Sequence, residues 1–352
     1  MKPLVAITRS QYIESVHSGY ICVVDANGSI QFSLGDPNTR VYFRSAAKPI
    51  QSIPFLESGA AEALGFSMQE IAIACASHTG QKIHQETVRK LMERLQLQEE
   101  QLHCGIMEPY NKEEKERLIR EGKEPSVLHN SCSGKHVAMM ALALYRGYSL
   151  EDYEKKENPV QQEVLNAIAA FAGEEPESIP LGIDGCGVPV FLLPIHKIAL
   201  SYARLMAWSM DDRHPYYKAS QRVCEAMWEH PEMVAGDGEF CTELMRAAKG
   251  QMVGKIGAEA IYCVGVKNPP TGICVKIRDG SERALFSAVL HTLKELRLLH
   301  DDVFAALQHW YQPTLYNHHG KAIGEMLPVF TAESAPHSSE ILGRMVSELL
   351  DK

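Results

Sequence analysis

The sequence has no long uninterrupted hydrophobic run, and its N-terminus, MKPLVAITRS, contains only the short apolar stretch PLVAI. Secretory signal peptides need an apolar core of about 7 to 15 residues, and a membrane-spanning helix needs about 20. We therefore expect neither, and we expect a cytoplasmic protein. A clustered basic region is also missing, and the formal net charge is -9. That charge balance makes a nucleic-acid partner unexpected.

The nine cysteines include no CxxC pair, so we expect neither a disulfide framework nor a standard paired-cysteine zinc site. An HExxH motif is missing as well. The SGK sequence ending at Lys135 does not complete a phosphate-binding GxxxxGK[ST] loop, because His129 stands at the first glycine and His136 at the Ser/Thr position. Repeats, low-complexity tracts and flexible linkers are absent from the sequence, which predicts a single unit over 1–352.

Hydrophobic residues make up 45% of the chain, enough to form a core. The chain opens on strand patterns, in which Asn27-Gly28 between alternating apolar residues marks a two-residue hairpin. Two apolar runs within 260–280 are joined by an Asn-Pro-Pro-Thr-Gly turn, which predicts a second strand pair. Sheet is thus expected in both end regions, 1–66 and 250–352.

The middle region, 67–249, is predicted to be mainly helical. Ser67 and Glu70 are spaced as a capping box, although the apolar IAIACA that follows fits a helix or a buried strand. Asn158-Pro159 has the form of an N-cap followed by the first helical residue. Other helical patterns occupy 84–95, 136–147, 191–209, 215–229 and 239–248, and the mixed-sign run 111–124 predicts a solvent-exposed helix face.

Ser45 and Lys48, in the segment RSAAKP, are three positions apart, so on a helix their side chains would share one face. A neutral lysine beside a serine can take the hydroxyl proton and make the oxygen nucleophilic. Because the ordinary pKa of lysine is about 10.4, desolvation or a nearby cation must favour the neutral amine. The same spacing fits an N-cap serine with a surface lysine, and Pro49 disfavours helical geometry at the residue before it.

Two later segments complete an order of motifs typical of penicillin-binding proteins and class A β-lactamases. Ser77-His78-Thr79-Gly80 stands where the second serine motif is expected, and Lys255-Ile256-Gly257 follows just before the predicted strand pair. This order favours a serine–lysine hydrolase.

Two glycine-rich cysteine segments, HNSCSGKH (129–136) and IDGCGVP (183–189), have the composition of ligand loops. Glycines let peptide N–H groups approach a bound group closely. A helix predicted to begin near His136 would also direct free N–H groups toward an anion such as a carboxylate. Cys132 and Cys186 fit equally well as buried thiols in tight turns.

Taken together, the motifs resemble the L-asparaginase II family, the rhizobial-type, thermolabile, serine-dependent asparaginases. The resemblance spans nearly the whole chain and implies an α/β fold like that of serine β-lactamases and glutaminases, with an antiparallel sheet flanked by helices plus a mainly helical insert. It also implies a homodimer that hydrolyses the side-chain amide of L-asparagine to L-aspartate and ammonia. The segments that carry it are ESVHSG (14–19), FRSAAKP (43–49), ASHTG (76–80), HNSCSGKH (129–136), DGCGVP (184–189) and KIGAEA (255–260).

The resemblance implies roles for individual residues. Ser45 with Lys48 and Ser77 with Lys255 would form two serine–lysine pairs, in which Ser45 attacks the amide to form an acyl-enzyme and Lys48 takes its proton. Ser77 remains an alternative nucleophile. The other implied residues are Asp184 for the substrate amino group, Arg44 and His136 for its carboxylate, and Cys132, Lys135 and Cys186 for a metal ion, usually zinc.

Two thiolates and an amine suit zinc, although the lysine must lose its proton to bind. Four residues depart from the family pattern, which bears on side-chain selectivity more than on the reaction: Ile256 and Ala260 in place of glycines, Glu239 in place of a common arginine and Asn158 in place of a common histidine. Two rival functions stay open. One is a glutaminase or other small-amide hydrolase, since a pocket discriminates one methylene by only about 1 to 3 kcal/mol. The other is a non-catalytic zinc-binding amino-acid sensor.

Overall fold

A computed structural model describes residues 1–332 of the chain. Over these residues the strands form one eight-stranded sheet and one three-stranded sheet, and every strand pair is antiparallel. The strands are β1 (Lys2–Arg9), β2 (Tyr12–Asp25), β3 (Ile30–Leu34), β4 (Arg40–Tyr42), β5 (Leu181–Ile183), β6 (Pro189–Pro194), β7 (Met252–Gly257), β8 (Ile261–Val266), β9 (Thr271–Ile277), β10 (Thr314–Tyr316) and β11 (Ala322–Pro328).

The large sheet has the order β10-β11-β1-β2-β9-β8-β7, and β3 pairs with β2 beside this path. Its strands come from both ends of the described chain, between residues 2 and 34 and between residues 252 and 328. The hairpin at Asn27-Gly28 joins β2 to β3, and β8 pairs with β9 as predicted. The prediction of an α/β fold with an antiparallel sheet and a mainly helical middle region is confirmed.

Helices pack against this sheet and make up most of the chain between β4 and β7. In the described residues the α-helices are α1 (Lys48–Gln51), α2 (Ile53–Glu57), α3 (Ala60–Ala63), α4 (Met68–Ala74), α5 (Lys82–Arg94), α6 (Lys112–Glu121), α7 (Ser133–Arg146), α8 (Pro159–Ala172), α9 (Ile195–Trp208), α10 (Tyr217–Glu229), α11 (Pro231–Val234), α12 (Phe240–Ala248), α13 (Leu285–Glu295), α14 (Asp301–Ala306) and α15 (Gln308–Tyr311). Within residues 1–332, none of them combines the length and apolar character needed to cross a membrane.

The core lies between the large sheet and its helices. Helix α9 packs against β2, β8 and β9, and α13 packs against β1, β8, β9 and β11. Every residue of β8 is buried. Because successive strand residues face opposite sides of a sheet, both faces of the sheet must be covered at β8.

Three local predictions are corrected or settled by the structure. The segment 191–209 is not helical throughout, because β6 occupies its first residues and pairs with β4 and β5 before α9 begins at Ile195. Lys255 lies within strand β7 rather than before the strand pair. IAIACA is mainly helical, in α4, and Ser67 and Glu70 form the predicted capping box.

Candidate active site

A cavity of about 480 Å³ opens beside β7, an edge strand of the large sheet. Six of the ten predicted site residues line it: Arg44, Ser45, Ser77, Cys132, Asp184 and Cys186. The other four are buried behind the wall, with exposed fractions of 0 to 2%: Lys48, Lys135, His136 and Lys255. The structure thus collects the predicted residues from distant parts of the chain at one cavity.

Backbone contacts fix the position of Ser77 just after α4. Its peptide N–H donates to the Val234 carbonyl at 2.9 Å, and the Thr79 N–H donates to the Ala235 carbonyl at 2.8 Å. Helix α7 approaches α4 so closely that a Cβ on Gly134 would lie 2.3 Å from the Ile73 carbonyl oxygen. A side chain there would separate the two helices, which explains the glycine in CSGKH.

Two lysine amines converge on the Ser77 hydroxyl. Lys48 Nζ lies 2.8 Å from Ser77 Oγ, and Lys255 Nζ lies 2.8 Å from the same oxygen. Lys48 also donates to the carbonyls of Ala76 at 2.6 Å and Ser131 at 3.2 Å, and Lys255 donates to the carbonyl of Ile256 at 2.7 Å. The hydroxyl therefore bridges two buried amines.

The contacts of the Lys48 amine differ from the pairing that the sequence suggests. The Lys48 backbone N–H donates to the Ser45 carbonyl, but within residues 1–332 no hydrogen bond joins the Lys48 amine to the Ser45 side chain. Arg44–Ala47 is a 3₁₀ turn, and α1 begins at Lys48, which has helical dihedrals although Pro49 follows. Three oxygens from other segments surround the Lys48 amine. Ser45 lies instead on the cavity wall, directly after Arg44, whose φ of 49° is in the left-handed region. A non-glycine residue held in that region is strained.

The hydrogen-bond partners indicate different proton counts on the two amines. Lys48 faces three oxygens, two of them carbonyls, which matches the three donors of an ammonium group. Lys255 faces one carbonyl and the Ser77 hydroxyl, so a neutral amine there can donate one hydrogen bond and accept the Ser77 proton. Burial lowers the pKa of both lysines, and the neighbouring Lys48 helps lower the pKa of Lys255 to about 7.

Arg44 and Asp184 form an ion pair on the cavity wall, with Arg44 Nε 2.9 Å from Asp184 Oδ1. Burial opposes ionisation of Asp184, but Lys135 and Arg44 outweigh it and lower the pKa of the carboxyl. His136 is placed differently. Its Nδ1 lies 2.6 Å from the Tyr153 hydroxyl, its buried Nε2 has no partner in the described part of the chain, and burial lowers its pKa to about 3. It is therefore a neutral imidazole behind the wall.

The thiols of Cys132 and Cys186 lie beside the third buried lysine, Lys135. Lys135 Nζ is 3.1 Å from Cys186 Sγ. A hydrogen bond from Cys132, followed by the Lys135 charge, lowers the pKa of Cys186 to about 4 despite its burial. Burial favours a neutral Lys135, but Cys186 and Cys132 raise its pKa overall.

These three donors fit a soft divalent metal such as zinc, provided that Lys135 releases its proton. Over residues 1–332, no group of three or more His, Cys, Asp or Glu side chains is arranged to hold a metal ion. Any metal at this place would therefore depend on the lysine amine as its third protein ligand.

A buried carboxylate behind Ser77, Glu114, escaped prediction. Gln85 Nε2 donates at 2.8 Å both to the Gly80 carbonyl and to Glu114 Oε1, and His129 Nε2 lies 3.2 Å from that oxygen. Glu114 thereby connects the loop after Ser77 to the segment that leads to Cys132. The sequence suggested an exposed helix face here, whereas Glu114 is only 5% exposed. Its spacing of four from Leu118, also buried, was the available signal.

The four residues that depart from the family pattern have different surroundings. Glu239 and Ile256 line the cavity, where their side chains can affect which substrate side chain is accepted. Ala260 has a φ of 53°, a conformation that glycine adopts without strain. Asn158 is the N-cap of α8, where its side chain accepts from the Val160 N–H at 3.0 Å. That cap was predicted from the sequence and is confirmed.

A family model described as L-asparaginase II matches residues 5–328, nearly the whole chain. No curated protein gives a significant match. A solved structure of a candidate β-lactamase from Bacteroides dorei DSM 17855 has 14% identity and a TM-score of 0.40, covering 77% of this chain and 92% of its own. That similarity is too low to support a conclusion, so the assignment depends on the family match.

Proposed function

Because the chain belongs to the L-asparaginase II family, we propose that it hydrolyses the side-chain amide of L-asparagine to L-aspartate and ammonia through a serine acyl-enzyme. Family membership by itself implies an amidohydrolase with a small amide substrate. The serine mechanism is supported mainly by one observation, the Ser77 hydroxyl held between the amines of Lys48 and Lys255 at 2.8 Å each.

In the proposed reaction Ser45 attacks the amide carbon. Its side chain lies on the cavity wall, where a substrate can reach it. Its peptide N–H has no backbone partner within residues 1–332 and can donate to the developing oxyanion. Ser77 is the alternative nucleophile, but its hydroxyl already contacts two amines and its own N–H is bonded to Val234. These contacts suit Ser77 better to proton relay.

Lys48, an ammonium in the free enzyme, first releases a proton through the Ser77 hydroxyl to Lys255, whose pKa of about 7 suits a group that both accepts and donates protons near neutral pH. The neutral amine of Lys48 then takes the proton of Ser45, which precedes it by one turn. The reverse transfer protonates the leaving nitrogen as the C–N bond breaks. Water then cleaves the ester with the same groups as base and acid, releasing L-aspartate.

The amino-acid head of the substrate would bind the Arg44–Asp184 pair. Asp184 accepts from the α-amino group, and Arg44 donates to the α-carboxylate. His136 was expected to share the carboxylate. Its burial behind the wall and its contact with Tyr153 favour instead a supporting role for the segment that carries Cys132 and Lys135.

Zinc and the homodimer stay predictions from the family resemblance. Cys132, Lys135 and Cys186 are the residues that would hold the metal. A bound zinc ion would supply a Lewis acid and a fixed link between the loops of the two cysteines. Each step above needs only side chains and backbone of this chain.

The test combines turnover with trapping of the acyl-enzyme. Ammonia release is measured with L-asparagine, L-glutamine and D-asparagine for the zinc-replete protein and for Ser45→Ala and Ser77→Ala. After a rapid acid quench, peptide mass spectrometry locates the aspartyl ester. We expect release from L-asparagine, an ester on Ser45, and no turnover in Ser45→Ala.

Different results separate the rivals. An ester on Ser77, or near-normal turnover by folded Ser45→Ala, would assign the attack to Ser77. Faster release from L-glutamine would identify a glutaminase. Saturable binding of asparagine without ammonia release would identify a sensor.

A further inference from the structure

The cavity is larger than asparagine requires. Its volume of about 480 Å³ lies within the range of about 300 to 1,000 Å³ that is usual for drug-sized ligands. Phe240 and Phe286 contribute apolar surface to its wall. A neighbouring recess of about 310 Å³ shares Glu282 and Phe286 with the cavity and is also lined by Arg283, Trp310 and Met326. Space and apolar surface thus extend beyond the room needed for a small amino acid.

The ionisable groups divide the cavity wall into two parts. The charges of Lys135 and Arg44 affect the pKa of the Asp184 carboxyl group. The pKa of the Glu282 carboxyl group is affected instead by the charges of Lys255 and Glu259. Arg44 and Asp184 neutralise each other through their ion pair. One part of the wall therefore matches an amino-acid head group, which has one charge of each sign.

The other part is acidic. Glu239 and Glu282 both line the cavity, and in residues 1–332 neither has an ion-pair partner within 4 Å. Burial raises the pKa of both carboxyl groups, and the charge of Glu282 further raises that of Glu239. Two carboxylates that line one cavity, Glu239 partly buried and Glu282 exposed, favour a cation beside them. Together with the unfilled volume and the phenyl rings, they define an acidic, partly apolar compartment.

We infer that this compartment receives the amine half of the substrate, so that the enzyme also hydrolyses asparagines whose amide nitrogen carries a short alkyl chain ending in a cationic amine. The inference depends on the proposed function. With the head group on Arg44 and Asp184 and the amide carbon at Ser45, the amide nitrogen points away from the head group. A substituent on that nitrogen extends toward Glu239 and Glu282.

The chemistry balances without a further reactant. Ser45 Oγ forms a bond to the side-chain carbonyl carbon, and the bond from that carbon to nitrogen breaks. The departing diamine takes one proton from Lys255 through Ser77. Water then hydrolyses the ester, and the products are L-aspartate and a protonated diamine.

The experiment compares three amides: L-asparagine, N4-(2-aminoethyl)-L-asparagine and its neutral analogue of equal length, N4-propyl-L-asparagine. Release of aspartate is followed for each. We expect kcat/KM for the aminoethyl compound to exceed that for the propyl compound by about fivefold, the upper range for partly exposed charge pairs. In the double variant Glu239→Gln, Glu282→Gln, this ratio should fall to about one.

Glu259→Gln is the matched control, because Glu259 is exposed and near Glu282 but does not line the cavity. It should leave the ratio unchanged. Turnover of asparagine with none of either substituted amide would overturn the inference and leave the proposed function intact. Equal rates for the aminoethyl and propyl compounds in the unmodified protein would also overturn it. No turnover of any of the three would overturn the proposed function itself.

Discussion

Lys255 and Lys135 are both buried on the margin of the same cavity, yet their pKa values shift in opposite directions. Burial lowers the pKa of Lys255, and the adjacent Lys48 lowers it further, to about 7. Burial acts on Lys135 in the same direction, but the thiols of Cys186 and Cys132 reverse the result. The neighbours, and not burial alone, therefore decide the charge of a buried amine. One lysine is suited to transfer protons, and the other to hold a charge or bind a metal.

The largest expected effect tests the proton-transfer side of this comparison. In Lys255→Met we expect kcat to fall by about 10² to 10⁴, the usual contribution of a general acid or base. In the unmodified enzyme, kcat/KM should rise with pH through about 7, because Lys255 must lose its proton to accept another. That limb should disappear in the variant. Steady-state rates across pH measure both effects.

Lys255→Arg is the control, since it keeps a cation of much higher pKa at the same place. It should be as inactive as Lys255→Met. If Lys255→Met kept most of its kcat together with the limb near pH 7, Lys255 would have only a structural role.

The second prediction contrasts stability at the two lysines. Lys135→Met leaves the Cys186 thiolate without its ion partner and should lower the free energy of unfolding by about 3 to 5 kcal/mol. Lys255→Met replaces a poorly solvated amine by an apolar side chain and should raise it by about 1 to 4 kcal/mol. Urea unfolding of zinc-free protein at pH 8 measures both. Shifts of the same sign would show that burial dominates after all.

The third prediction concerns the metal. Cys186→Ser removes a soft donor and should weaken zinc binding by at least about 100-fold, measured by competition with a chromophoric chelator. Cys224→Ser changes another buried thiol, which contacts Met206 and no residue of this cluster through its hydrogen bond. It should leave the zinc affinity unchanged. Unaltered zinc content in Cys186→Ser would place the metal elsewhere.

The smallest expected effect concerns Glu114, whose hydrogen bonds involve neither Lys255 nor Lys135. Arg117 lowers the pKa of Glu114 to about 2, so Glu114 is anionic at working pH. Glu114→Gln keeps the shape but weakens the connection to Gln85 and His129, and we expect kcat to fall by about tenfold with KM unchanged. Glu116→Gln, an exposed change on the same helix, is the control. A change in KM alone would assign Glu114 to substrate binding.

Many of the candidate site residues could be predicted because the chemistry requires particular residue types, and these occur together in short segments. A serine with a lysine, or a cysteine with a glycine, can be recognised in RSAAKP or CSGKH without knowing the fold. The placement of Lys48 beside Ser77 could not be predicted, because it depends on a 3₁₀ turn before α1 and on oxygens from two other segments. The burial of Glu114 likewise depends on helices that meet only in the folded chain.

The same distinction holds for the fold. Asn27-Gly28 and the Ser67 capping box act over a few residues, so both appear in the sequence pattern and in the structure. Strand β6 depends on pairing with β4, more than a hundred residues earlier, and its apolar residues resemble the helix that follows. Such short strands are determined by their partners.

The Arg44–Asp184 ion pair has a consequence for the ionic-strength dependence of binding. In the free protein, each of the two charges that would bind a zwitterion already has a partner. An entering amino acid exchanges that internal pair for two pairs with its own head group, so the net charge at this place is zero before and after. Salt then screens the charges of the free and the bound protein to a similar extent. KM for asparagine should therefore change little with ionic strength. The Arg44–Asp184 pair exerts no long-range attraction on a zwitterion, and the head group of any small amino acid can bind to it. Discrimination among amino acids therefore depends on the side-chain amide.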